Sequence, residues 1–282
     1  MAQPAVDFAT EEFGMLLDST LRKLNHYMKN SGPLIGYTST GHGAWEATVT
    51  NLFDVGESIL LCDSGHFSHR WGEMCEAQGL EVQWFDTGLR HGVDPEALTE
   101  VLSTEAGRNI RGVLVAHTET STGVTSDLRA IRKVLTDLDH SALLVVDSIA
   151  SFGCTPLEVD ELGVDAFLAV SQKGLMMPVG LAFTGISDRA VEAAYANNRQ
   201  RFYWDWRRRL EAEGYRMFCG TPPIHHVFGL AESLTMIKEE GGIDAVTDRH
   251  HRLAEAVRRA VSELSLIHIS EPTRQEAISY AV

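Results

Sequence analysis

Apolar and polar positions along the chain fall into two alternating rhythms. Residues 11–29 place Phe13, Leu16, Leu17, Leu21, Leu24 and Met28 at helical spacing, which predicts a helix. A short apolar run at 34–38 ends in Thr-Ser-Thr-Gly-His-Gly, and a helix is expected from about Gly43 to Phe53. Strand and helix then alternate: strands at 58–62, 80–85, 112–116 and 142–147, helices at 67–77, 95–103 and 126–138. Two more short strands, 166–170 and 180–184, flank Lys173. Beyond Pro222–Pro223 a helix carries Ile224, Val227, Phe228, Ala231, Leu234 and Ile237. Gly241–Gly242 punctuates it, and a second helix is expected from about Ile243 to Leu264.

This alternation predicts an α/β fold, a mostly parallel sheet covered by helices on both faces. The run Leu143-Leu144-Val145-Val146 is apolar without alternation, as a strand buried on both sides requires. Ligands of such sheets bind beyond the carboxyl ends of the strands. The polar residues after each apolar run are therefore the candidates for chemistry: Thr38–Gly43, Asp63–Phe67, His117–Gly123, Asp147–Ser148 and Ser171–Lys173.

Composition narrows the partners rather than the fold. The 282 residues are 44% hydrophobic and 22% charged, ordinary for a globular chain and unlike a disordered or fibrous one. With 24 basic and 39 acidic residues the formal charge is −15, a surface that repels nucleic acid and anionic membranes but leaves room for one locally positive anion pocket. No apolar run approaches a membrane span, and Met1 to Thr10 has no secretory pattern. Cys62, Cys75, Cys154 and Cys219 are scattered without a CxxC pair, so no metal site and a reduced, cytoplasmic thiol set are expected.

Each candidate has a plain reading and a chemical one. Asp147 closes a buried strand, where it either caps the next turn or presents a carboxylate to a cationic ring nitrogen or a metal. Lys173 is either a solvated lysine or, at the sheet edge near Asp147, a desolvated amine able to form Schiff bases. Thr38–Gly43 either caps a helix or cradles a phosphate on free amides, and His42 by itself is most simply a structural histidine. An anion cradle, a strand-end Asp and a strand-end Lys together match the needs of pyridoxal 5′-phosphate. A dinucleotide fingerprint, GxGxxG followed by an acid, is absent.

Four segments carry a family resemblance: Ser39-Thr40-Gly41-His42 through Glu46, His117-Thr118-Glu119-Thr120-Ser121-Thr122-Gly123, Val146-Asp147-Ser148-Ile149-Ala150-Ser151 and Ser171-Gln172-Lys173-Gly174. In this order they resemble the class V, fold-type I pyridoxal-phosphate aminotransferases, in the alanine–glyoxylate, serine–glyoxylate and serine–pyruvate branch. The resemblance runs from about Phe8 to Leu264 and implies a three-layer αβα large domain. It implies that Lys173 bonds the cofactor and that Asp147 partners its ring nitrogen. It puts Thr40, Gly41, His42 and Gln172 at the phosphate, Phe67 and Ile149 on the two ring faces, and Thr120 against the cofactor. Gln172 stands where related cysteine desulfurases carry histidine. Thr221, in Phe218-Cys219-Gly220-Thr221-Pro222-Pro223, implies a reach to a neighbouring subunit's phosphate and hence a homodimer. The implied substrates are a small amino acid, alanine or serine, and a 2-oxo acid, glyoxylate or pyruvate. The alternatives are a lyase or desulfurase of the same fold, or an inactive fragment.

The same resemblance divides the chain into a cofactor-binding large domain at 1–240, with its N-terminal segment incomplete, and a helix at 241–264 leading toward a small domain that is largely missing. Residues 265–282 depart from the family and resemble translated sequencing-adapter read-through, so they are expected to form a non-native tail. Arg274 is accordingly not assigned to the substrate carboxylate.

Overall fold

A computed structural model describes residues 4–263; the expected tail at 265–282 lies outside the described residues. Seven strands form one sheet: β1 (Leu34–Ser39), β2 (Ser58–Asp63), β3 (Glu81–Asp86), β4 (Gly112–Ala116), β5 (Leu143–Asp147), β6 (Ala166–Val170) and β7 (Gly180–Ile186). Their order is β1-β7-β6-β5-β4-β2-β3. Strands β2 to β6 pair in parallel, and only β7 is antiparallel to its neighbours β1 and β6.

Side chains from alternate strand positions supply two separate cores, one on each face. Val113, Val115, Leu144 and Val146 face α1 (Glu11–Tyr27), α4 (Pro95–Ser103), α5 (Leu128–Asp137) and α8 (Ile224–Glu240). Leu114, Leu143, Val145 and Leu168 face α2 (Gly41–Leu52), α3 (His66–Ala77) and α6 (Asp188–Ala196). Burial of the central strands on both sides explains why they read as unbroken apolar runs. The expected three-layer α/β architecture is thus present.

Three local features differ from the pattern reading. Helix α2 begins at Gly41 rather than near Gly43, because Thr40 is the extended residue at its N-cap. That places the Gly41, His42 and Gly43 amides in the first turn. Helices α6 and α7 (Trp206–Leu210) have no counterpart in the apolar pattern. Each is short, and capping by Ser187 and Asp205 marks it more strongly than its few buried side chains. After α8 the chain turns through Gly241 and Gly242, both at positive φ (112° and 91°), into α9 (Ile243–Glu263). On α9 only Val246 and Thr247 are buried, while Leu253 and Val257 are exposed.

Candidate active site

The carboxyl ends of β1, β4, β5 and β6 open on one cavity with an empty volume of about 640 Å³. Every residue expected at the site lines it except Thr221. Thr40, Gly41 and His42 come from the turn after β1, Phe67 from the start of α3, Thr120 from the loop after β4, Asp147 and Ile149 from the end of β5, and Gln172 and Lys173 from the loop after β6. Thr221 is exposed and borders a separate surface pocket with Phe8, Tyr215 and Arg216.

The turn after β1 is shaped for close approach. A Cβ on Gly41 would lie 2.5 Å from Ile149 Cδ1, so a side chain there would push the Ile149 tip further into the cavity. Thr40 makes no side-chain hydrogen bond to the first turn of α2. The first-turn amides therefore remain available to an anion, at the positive end of the helix dipole. Across the cavity, Gln172 Oε1 is buried with no hydrogen-bond partner among the described residues. An orphaned polar atom of this kind fits a site that a polar ligand completes.

Asp147 is buried at the floor. Its Oδ2 accepts the Trp45 indole N–H at 2.8 Å and its Oδ1 accepts the Ile149 amide at 2.7 Å. Burial pushes its carboxyl up to about 6, against those two hydrogen bonds; the nearby Glu119 charge adds to the rise and Lys173 opposes it. No arginine or lysine pairs with it at salt-bridge distance among the described residues. Such a carboxylate is suited to a cationic group brought from outside.

Glu119 lines the same cavity although its role is not legible in the sequence. It accepts the amides of Phe67 (3.3 Å), Ser68 (2.9 Å) and Ser121 (2.9 Å) and the Ser121 hydroxyl (2.8 Å). Burial acts to raise its carboxyl, but the donors outweigh it and hold it below the usual range. Glu119 thereby ties the loop after β4 to the first turn of α3 and fixes the backbone that bears Phe67. Beneath this loop, His117 Nδ1 lies 2.9 Å from Ser151 Oγ, and burial lowers its imidazole to about 4, leaving it neutral.

Lys173 is exposed, as in the plainer of its two readings. It lies three residues beyond the end of β6 and lines the cavity. The loop beneath it is firm. Ser171 donates its hydroxyl to the Pro178 carbonyl (2.7 Å), and its oxygens accept the amides of Leu181 (3.2 Å) and Met177 (3.0 Å). Trp45 was also missed, because an aromatic residue inside an apolar helix reads as core. Its position one turn after His42 on the same helix was the available signal.

An anion cradle, an unpaired carboxylate and a lysine in one cavity fit pyridoxal 5′-phosphate by charge and donor type. Comparison with known proteins finds aminotransferases among the similar chains. An L-aspartate–glyoxylate aminotransferase from Paracoccus denitrificans is 38% identical over 264 residues, covering 93% of this chain and 66% of that protein. A serine–glyoxylate aminotransferase from Methylorubrum extorquens is 37% identical over 240 residues, covering 83% of this chain and 60% of that protein. The chain thus spans slightly less than two thirds of the length of these relatives. The crystal structure of an alanine–glyoxylate aminotransferase from Nostoc sp. superposes with a TM-score of 0.85 at 26% identity, covering 93% of this chain and 69% of the other. The model of the class-V aminotransferases matches residues 19–282, and with the four cavity-lining segments in family order, the chain belongs to the class-V aminotransferase family.

Proposed function

We propose that this chain is the cofactor-binding part of a pyridoxal-phosphate-dependent aminotransferase that moves an amino group from a small amino acid to a 2-oxo acid. The observation that carries the reading is the pairing, across one cavity, of a buried carboxylate without a cationic partner (Asp147) and a lysine (Lys173). The names of the relatives support serine, alanine or aspartate as the donor and glyoxylate as the acceptor. When bound, the cofactor supplies a reactive aldehyde and a ring that withdraws electrons. The first turn of α2 and the Gln172 side-chain N–H would donate hydrogen bonds to its phosphate, and Phe67 and Ile149 would flank its ring. Asp147 balances the charge of the ring nitrogen. Lys173 Nζ removes the proton from the amino acid α-carbon, as a general base on a firm loop. Two half-reactions on one site give ping-pong kinetics.

The desulfurase alternative requires a mobile reactive thiol. Cys62 and Cys75 are buried, and burial also raises the Cys154 thiol above its usual range. A homodimer in the cytoplasm belongs to the same proposal. It is supported by the exposed Thr221 beside its surface pocket and by four free cysteines, and no helix among the described residues is long and apolar enough to cross a membrane. The test is spectroscopic. The purified chain with added pyridoxal phosphate should gain a visible absorbance band that serine, alanine or aspartate bleaches. Borohydride reduction and peptide mapping should label Lys173. A label on another lysine, or no band at all, would refute the reading.

A further inference from the structure

Asp147 has two donors of different origin. The Ile149 amide is two residues away in the chain, whereas the Trp45 indole comes from α2, 102 residues earlier. Trp45 is 2% exposed and packs against two other rings. Its ring lies 4.4 Å from the His42 ring, tilted by 51°, and stacks on Trp71 at 5.8 Å and 16°. Trp71 is fully buried, yet its own indole N–H has no partner among the described residues. Two stacked indoles thus differ in one respect: only one of them holds the carboxylate.

We propose that Trp45 is a positioning residue that, through its indole N–H, aims the Asp147 carboxylate into the cavity and keeps it anionic for the cofactor ring nitrogen. This rests on the cofactor reading above. A carboxylate on a buried strand end needs donors for its oxygens, and a charge-assisted bond from a rigid ring fixes direction as well as charge. Without the indole, Oδ2 would be left buried with no donor among the described residues. The other groups facing Asp147 do not substitute for it. Glu119, from the loop after β4, opposes ionisation, and Lys173, from the loop after β6, favours it only through space. His42, on α2, is driven toward its neutral form mainly by burial, and His117, which gives its backbone amide to the Asp147 carbonyl at 2.9 Å, is kept neutral by burial.

The test compares Trp45→Phe with Trp71→Phe in the full chain. Each keeps an aromatic ring in the stack and removes one indole N–H, but only the first N–H has a partner. In the cofactor-free wild-type chain, the Trp45 indole ¹⁵N–¹H resonance should follow the Asp147 titration, while that of Trp71 stays still. In Trp45→Phe, the Asp147 midpoint, read from its ¹³C carboxyl resonance, should rise by about one unit or more. Trp71→Phe should leave it in place. A wild-type Trp45 resonance indifferent to that titration, or a midpoint equal in Trp45→Phe and wild type, would overturn the proposal. Should Trp45→Phe fail to fold, the wild-type indole titration decides alone. With pyridoxal phosphate loaded, Trp45→Phe should lose cofactor on dialysis under conditions where Trp71→Phe keeps it; equal retention would overturn the link to the ring. A wild-type chain that binds no pyridoxal phosphate would refute the proposed function instead, and the cofactor-free titrations would still decide whether the indole controls Asp147.

Discussion

Asp147 and Asp165 are two buried carboxylates at opposite edges of the same sheet, with opposite surroundings. Asp165, just before β6 at the amino edge, lies 3.4 Å from the Arg132 guanidinium and 3.1 Å from that of Arg189. It also accepts the Leu144 amide at 2.8 Å and the Ser187 hydroxyl at 3.0 Å. Asp147, at the carboxyl edge, has one indole, one amide and no cation at salt-bridge distance. The amino edge is satisfied from within the chain. The carboxyl edge is left short of positive charge, and its neighbour Gln172 is left short of a donor. A fold can carry such deficits where a ligand will complete them, because its stability is secured elsewhere.

The comparison breaks if damage at one edge has the consequences expected at the other. Lys173→Ala should give the largest effect, lowering turnover by about 10²–10⁴-fold or more while leaving the melting temperature unchanged, because an exposed lysine contributes little to packing. Steady-state kinetics and calorimetry on the same preparations check this. Asp165→Ala should do the reverse for stability. The freed guanidinium groups of Arg132 and Arg189 reach solvent, but the Leu144 amide and the Ser187 hydroxyl lose a buried acceptor, which should cost about 1–3 kcal/mol in denaturant unfolding.

Asp147→Asn sharpens the contrast through pH. The folded chain binds the Asp147 proton more tightly, at about 6 against an ordinary value of 3.8. The stability this provides is complete below the ordinary value and is lost as pH rises through about 6. Asparagine cannot ionise, so at pH 7–8 the cofactor-free variant should be more stable than wild type by about 2–3 kcal/mol, even as activity falls. His117 has the opposite sign. Its imidazole is held near 4 against an ordinary 6.5, so its contribution is present above 6.5 and lost as pH falls through about 4. In wild type the two overlap and partly cancel. Urea unfolding of Asp147→Asn across pH 4–7 should therefore reveal the acid lability that His117 contributes. The smallest effect should come from Ser151→Ala, which removes the His117 side-chain partner and should cost about 1 kcal/mol at neutral pH.

Much of this arrangement is legible in the sequence for a simple reason. Strand-end positions follow directly from where apolar runs stop, and Asp147, Lys173 and Thr40–His42 all sit within three residues of such a stop. The partners of those residues are harder to read. Trp45 and Glu119 act through bonds that join segments about 50 to 100 residues apart, which no local pattern encodes. The exposure of Lys173 depends on which side of the cavity faces solvent, a property of the assembled layers. The starts of α2 and α6 turn on capping geometry at single residues, below the resolution of hydrophobic periodicity.

The antiparallel strand β7 sets an order of assembly. It joins β6 across a connection of only nine residues, so the hairpin bearing Lys173 is a local structure that can close early. Its other neighbour, β1, pairs with it from Leu34↔Gly185 to Ser39↔Gly180, linking segments some 150 residues apart. A loop of that size closes slowly and late. Until β1 docks, the turn proposed for the phosphate is absent from the lysine's side of the sheet. Cofactor capture therefore reports completion of the fold, and a newly made chain should gain its colour only after most of its secondary structure has formed.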